Sequence, residues 1–188
     1  MAKILGNFHL ALLIGLVLLI GAMVGFHQGG MDKTYWIEVL RFLHVWAGIL
    51  WIGLLYYFNF VQTPTMPSVP AELKPGVTKH IAPVALFYFR WGAVFTVLTG
   101  AALAWSYGEL EQALTLQPDF RLIGIGMWLA LIMAANVWFV IWPAQKKALG
   151  IVPADDAAKA AAARTGMIAS RLNTLLSIPM LLAMTNAH

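Results

Sequence analysis

Few residues in this chain can do chemistry, and those few sit in unusual surroundings. His44 lies within LRFLHVWAGILWIGLLYYFNFVQTP (Leu40 to Pro64), a stretch otherwise almost free of charge. An imidazole in such a place can ligate a haem iron, relay a proton, or simply hydrogen-bond a neighbouring helix. At helical spacing His44 shares one stripe with Gly48, Trp51, Leu55 and Phe58. Gly48 on that stripe offers room for a second helix to come close. Arg90 is the other informative residue, set well inside the apolar run that follows. No aspartate or glutamate lies deep in an apolar run, so its charge has to be met by backbone carbonyls, by asparagine amides, by a lipid phosphate or by an anionic ligand such as a haem propionate. Alternatively, its long side chain cross-links helices or reaches back to the membrane surface.

The elements that position these residues follow from composition. Of the 188 residues 61% are hydrophobic and only 11% charged, whereas a soluble domain has about a quarter charged. The chain therefore reads as an all-α polytopic membrane bundle, one helical domain over 1–188 with the lipid bilayer as its first partner. It contains no cysteine, which excludes disulfides, thiolate metal sites, iron–sulfur clusters and covalent c-type haem. The net charge of +4 is scattered over short loops, so nucleic acid is not a partner. No nucleophile elbow, phosphate-binding glycine loop or paired membrane carboxylates are present, which leaves hydrolysis without machinery.

Five apolar runs are long enough to cross a hydrocarbon core of roughly 30 Å: His9–Phe26, about Ile37–Val61, about Ile81–Ser106, Arg121–Trp142 and Met167–Asn186. The first exceeds a signal-peptide core and reads as a span, with Gly21 and Gly25 as a helix-packing pair. The proline-rich segment Gln62–Lys79 reads as a loop, Pro83 as a first-turn proline, Tyr107–Phe120 as a short acidic loop, and Ala144–Arg164 as a separate interfacial helix. Pro179 predicts a kink in the last span. Lys3, Lys74, Lys79, Lys146, Lys147, Lys159 and Arg164 fall on one side of this arrangement, against Lys33, Arg41 and Arg121 on the other. The positive-inside rule then predicts a cytoplasmic N-terminus and, if the membrane is a bacterial inner membrane, a C-terminus facing the periplasm.

Three segments, HVWAGILWIGLLYYFNFVQ (His44–Gln62), WFVIWPAQKK (Trp138–Lys147) and RLNTLLSIPMLLAMTNAH (Arg171–His188), resemble the bacterial integral-membrane urate oxidase, or urate hydroxylase, family. The resemblance runs from about Leu40 to the C-terminus and is to the membrane domain only, without the family's cytochrome c domain. It implies functional positions at His44, Trp51 and Gly53, at Gln145 and Lys146, and at Asn173, Pro179, Met184, Asn186 and His188. More loosely, H-x-x-A-x-x-x-W-x-G in the second span is similar to membrane protoporphyrinogen oxidase and copper-resistance proteins, the first of which associates with haem.

Two functions are carried forward. In one, the protein is an oxidoreductase or electron-transfer protein holding haem b, with His44 and His188 as iron ligands and Arg90, Trp51 and Asn186 around the cofactor. It would exchange electrons with a quinone or a separate cytochrome c. His27 is an alternative to His188. In the other, the chain is a non-catalytic accessory subunit or assembly factor docked on a larger membrane complex.

Overall fold

The computed structural model describes residues 2–26 and 30–187. His27 and His188, the two histidines weighed as second ligands, lie outside the described residues. Among the described residues, five helices are long and apolar enough to cross a membrane: α1 (Phe8–Phe26), α2 (Lys33–Ser68), α3 (Lys74–Tyr107), α4 (Pro118–Ala148) and α5 (Asp156–Thr185). No strand occurs among the described residues. The chain divides into two compact units, Met1–Val39 and Leu40–His188.

In the first unit Asn7 caps α1, its side-chain oxygen accepting from the backbone N–H groups of His9 and Leu10 at 3.1 and 3.2 Å. Asp32 caps the start of α2 in the same way, accepting from Tyr35 N–H at 2.9 Å.

The second unit bundles α2, from Leu40 onward, with α3, α4 and α5. The stripe predicted on α2 is its inward face: Trp51, Leu55 and Phe58 are buried, packed with Phe89 and Ala93 of α3, Met133 and Val137 of α4 and Met180 of α5. Apolar packing alone does not fix register among helices in lipid, because lipid tails are as apolar as leucine. Here polar side chains do so. The buried Asn173 of α5 donates to Met133 O of α4 at 3.0 Å, and its carbonyl accepts from Asn136 at 2.7 Å. Asn59 of α2 donates to Ser170 Oγ at 2.8 Å, and the Tyr56 hydroxyl lies 3.0 Å from Ser177 Oγ. α4 and α5 also close on each other through Gly126, where a Cβ would stand 3.1 Å from that of Ala183.

The helices are longer than hydropathy predicts. Helical turns continue through Gln62–Ser68 and resume at Lys74, so the expected Gln62–Lys79 loop shrinks to 69–73. Ala144–Arg164 is not a separate helix: its first part completes α4 and its second part begins α5, capped by Asp155, which accepts from Ala158 N–H at 2.7 Å. These stretches are polar or rich in small residues yet helical, so the fall in hydropathy does not mark a helix end. α5 runs as one helix through Pro179.

Prolines shape the helices elsewhere. Three turns are π-helical: Tyr57–Gln62, Val77–Ile81 and Val137–Ile141. Each is followed within two residues by a proline: Pro64, Pro83 and Pro143. A proline in a helix lacks an N–H, and its ring clashes with the carbonyl four residues back, here Phe60, Lys79 and Phe139. In all three cases the residue before the proline bonds five residues back instead: Thr63 to Phe58 O, Ala82 to Val77 O and Trp142 to Val137 O. The widened turn gives the helix room to pass the proline, and such turns recur at functional sites.

Candidate functional site

His44 projects from α2 onto α3. Its Nδ1 lies 2.9 Å from the backbone carbonyl of Thr96 and 3.4 Å from Thr99 Oγ1. A carbonyl can only accept, so Nδ1 carries the proton of the neutral ring. Nε2 then keeps its lone pair, the arrangement common among histidines that bind metals. The ring fits a notch made by Gly100, where a Cβ would come within 2.7 Å of Cε1 and 3.0 Å of Nδ1. The same seam closes at Gly92, whose Cβ would stand 3.3 Å from the backbone nitrogen of Trp51. Gly48, expected to permit the approach, meets only the Thr96 methyl at an ordinary 3.8 Å. The close contacts are therefore set by glycines on α3.

None of the other predicted site residues within the described residues hydrogen-bonds to this ring. Trp51 is wholly buried in the core, its indole N–H without a hydrogen-bond partner among the described residues. Arg90 stands ten positions before Gly100 on α3, about 15 Å along the helix. Its guanidinium lies 3.7 Å from the centre of the Trp142 ring and 5.6 Å from that of Phe87, with Nη1 buried and without a hydrogen-bond partner among the described residues. Trp138 Nε1 donates to Arg90 O at 3.3 Å. Arg90 thus links α3 to α4 through aromatic faces, while the asparagines that might have met its charge are engaged with α5. Asn186 is exposed and turned back on its own helix, donating to Leu182 O at 2.9 Å and Thr185 Oγ1 at 3.0 Å. No cluster of three or more metal-binding side chains occurs among the described residues.

A second location was not anticipated from the sequence. At the end of the bundle where α2 and α4 finish and α5 begins lies a cavity of about 360 Å³. Its lining includes Phe58 and Gln62 of α2, Thr78 of α3, and Ile141 and Gln145 of α4. All three π turns therefore reach it. The signal was present in the spacing of Pro64, Pro83 and Pro143 after apolar runs, but only the fold shows that they converge.

Among known proteins, the family described as urate oxidase N-terminal matches residues 110–188. Two of the three resembling segments, Trp138–Lys147 and Arg171–His188, lie inside that range, and His44–Gln62 lies outside it. No curated protein and no solved structure matches the chain. The C-terminal part of this five-helix chain, from the short helix Leu110–Leu114 through α4 and α5, is thus similar to the N-terminal part of urate oxidase.

Proposed function

We propose that the protein is a urate oxidase-related redox protein of the bacterial inner membrane, with its N-terminus in the cytoplasm and His44 as an iron ligand for haem b. One observation carries this reading: the Thr96 carbonyl fixes the proton of His44 on Nδ1 and leaves Nε2 free to bind. A neutral imidazole with Nε2 unprotonated is the donor an iron ligand requires, and the Gly100 notch holds the ring in one orientation. Bound haem would supply one-electron transfer, exchanging electrons with a quinone or a separate cytochrome c. His188 is the second ligand in this reading, and Arg90 acts as a helix cross-link and not as a propionate partner. The test is haem content of the purified full chain by pyridine haemochrome assay. Wild type should carry haem b and His44→Ala should lose it; a haem-free wild type refutes the reading.

The accessory-subunit reading is favoured by a different observation. Gly21 and Gly25 form a G-x-x-x-G pair on α1, and such a pair suits close packing against another membrane helix. Cross-linking from cysteines placed at positions 21 and 25 in native membranes tests this, and no cross-linked product would count against it.

A further inference from the structure

We propose that the groove where α5 passes α2 holds one anionic phospholipid, with its phosphate on Arg171 and one acyl chain along Phe60, Leu175 and Ile178. The assignment is independent of His44 and of haem.

The groove has a volume of about 430 Å³ and is lined by Asn59 and Phe60 of α2 and by Arg171, Thr174, Leu175 and Ile178 of α5. Spaced three, four and seven apart, the α5 residues form one stripe, with the cation at one end and aliphatic side chains at the other. Arg171 lies four residues inside the apolar run Met167–Asn186, about 6 Å along the helix, and Ile178 is about 10 Å further in. Charge therefore gives way to hydrocarbon in the direction in which it does so along a phospholipid. An arginine at that depth can raise its guanidinium to headgroup level, while Phe60, Leu175 and Ile178 are exposed and suit an acyl chain.

Charge complementarity selects the occupant. α2 carries no aspartate or glutamate between Leu40 and Ser68, and α5 none after Asp156. Arg171 has no hydrogen bond or ion pair among the described residues. The other two polar lining residues have committed their donors: Asn59 Nδ2 donates to Leu55 O at 2.9 Å and to Ser170 Oγ at 2.8 Å, and the Thr174 hydroxyl donates to Ser170 O at 3.2 Å. What they have left can only accept. Among the lining side chains the guanidinium is thus the free donor, and its fork matches the two non-bridging oxygens of a phosphodiester. The acceptors on Asn59 and Thr174 suit a headgroup with hydroxyls, as in phosphatidylglycerol.

The walls are set before anything binds. The Asn59–Ser170 bond and the Tyr56–Ser177 contact at 3.0 Å tie α2 to α5. The Phe60 ring stacks on Tyr56, with centroids 5.1 Å apart and planes 21° from parallel. A preformed wall loses little freedom on binding. In a bilayer such a space is filled by lipid or by protein, and a protein helix would have to bring a carboxylate into the membrane to meet Arg171, which is costly.

The full chain, delipidated in detergent, is titrated with phosphatidylglycerol and with phosphatidylcholine of the same chains. Bound lipid is counted by native mass spectrometry for wild type, Arg171→Gln, Ile178→Trp and Lys147→Gln. The proposal expects one phosphatidylglycerol to bind wild type about fivefold or more tightly than phosphatidylcholine, the scale of one cation on an anionic lipid. Arg171→Gln should abolish that preference. Ile178→Trp, which fills the groove and leaves the charge, should weaken phosphatidylglycerol by a similar factor. Lys147→Gln removes an exposed cation of α4 outside the groove and should change neither lipid. Arg171 and Ile178 are exposed, so both groove variants should unfold at the wild-type temperature without lipid. A preference that survives Arg171→Gln, or that Lys147→Gln reduces equally, overturns the site in favour of general attraction to a basic surface. Phosphatidylglycerol binding untouched by Ile178→Trp overturns the groove, and a wild-type dimer that takes up no lipid overturns it in favour of a second copy of the chain.

Discussion

Replacing Gly100 with alanine should destabilise the bundle through His44 and through little else. The added Cβ would lie 2.7 Å from His44 Cε1 and 3.0 Å from Nδ1, closer than carbon atoms pack. The ring sits at the end of a side chain and can move, so the cost is bounded by what movement breaks. It breaks the bond to the Thr96 carbonyl, worth about 1 kcal/mol, and forces a local repacking of about 1 to 2 kcal/mol. The expected loss is about 2 kcal/mol, or roughly 4 to 8 °C in unfolding temperature for a chain of this size. The assay is thermal unfolding in detergent of wild type, Gly100→Ala, His44→Ala and the double variant. In the His44→Ala background the ring is absent, and Gly100→Ala should cost no more than about 0.5 kcal/mol, giving a coupling near 1.5 kcal/mol between the positions. Additive effects, or a Gly100→Ala protein as stable as wild type, would refute the notch.

Asn173→Leu removes bonds to Asn136 and Met133; at about 0.6 kcal/mol for an average interhelical bond in a membrane, rising to roughly 1.7, it should cost about 1 to 3 kcal/mol by thermal unfolding, and an unchanged midpoint contradicts the polar seam. Arg90→Lys should lose much of the stacking on Trp142, about 1 to 2 kcal/mol, and should cost little further in a Trp142→Leu background; a lysine that behaves like arginine in the wild-type background contradicts the stacked geometry. Reporter fusions in the 69–73 link and after Asn186 should report opposite sides of the membrane, the first cytoplasmic; the same side for both rules out five spans.

Much of the architecture was legible in the sequence because hydropathy over twenty residues is a strong signal. The His44, Trp51, Leu55 and Phe58 stripe was readable from period alone, and it became the inward face of α2. Helix ends were not, since hydropathy reports side chains while a helix is continued by its backbone; Ala144–Ala148 and Asp156–Arg164 are polar or small, yet helical. Arg90 could be recognised as unpaired by carboxylates, but its partner Trp142 lies on another helix, more than fifty residues away in sequence. The prolines were visible individually. Their common effect was not, because the three π turns line one space only when α2, α3 and α4 are side by side.

The central claim is that His44 Nε2 binds haem iron. Its most direct test is chemical rescue: reduced-minus-oxidised absorbance spectra of wild type, of His44→Ala, and of His44→Ala purified with free imidazole. The account predicts a b-type spectrum in wild type, its loss in the variant, and its return when imidazole fills the space left by the ring. A wild-type spectrum without haem bands, or a His44→Ala spectrum identical to wild type without imidazole, contradicts it.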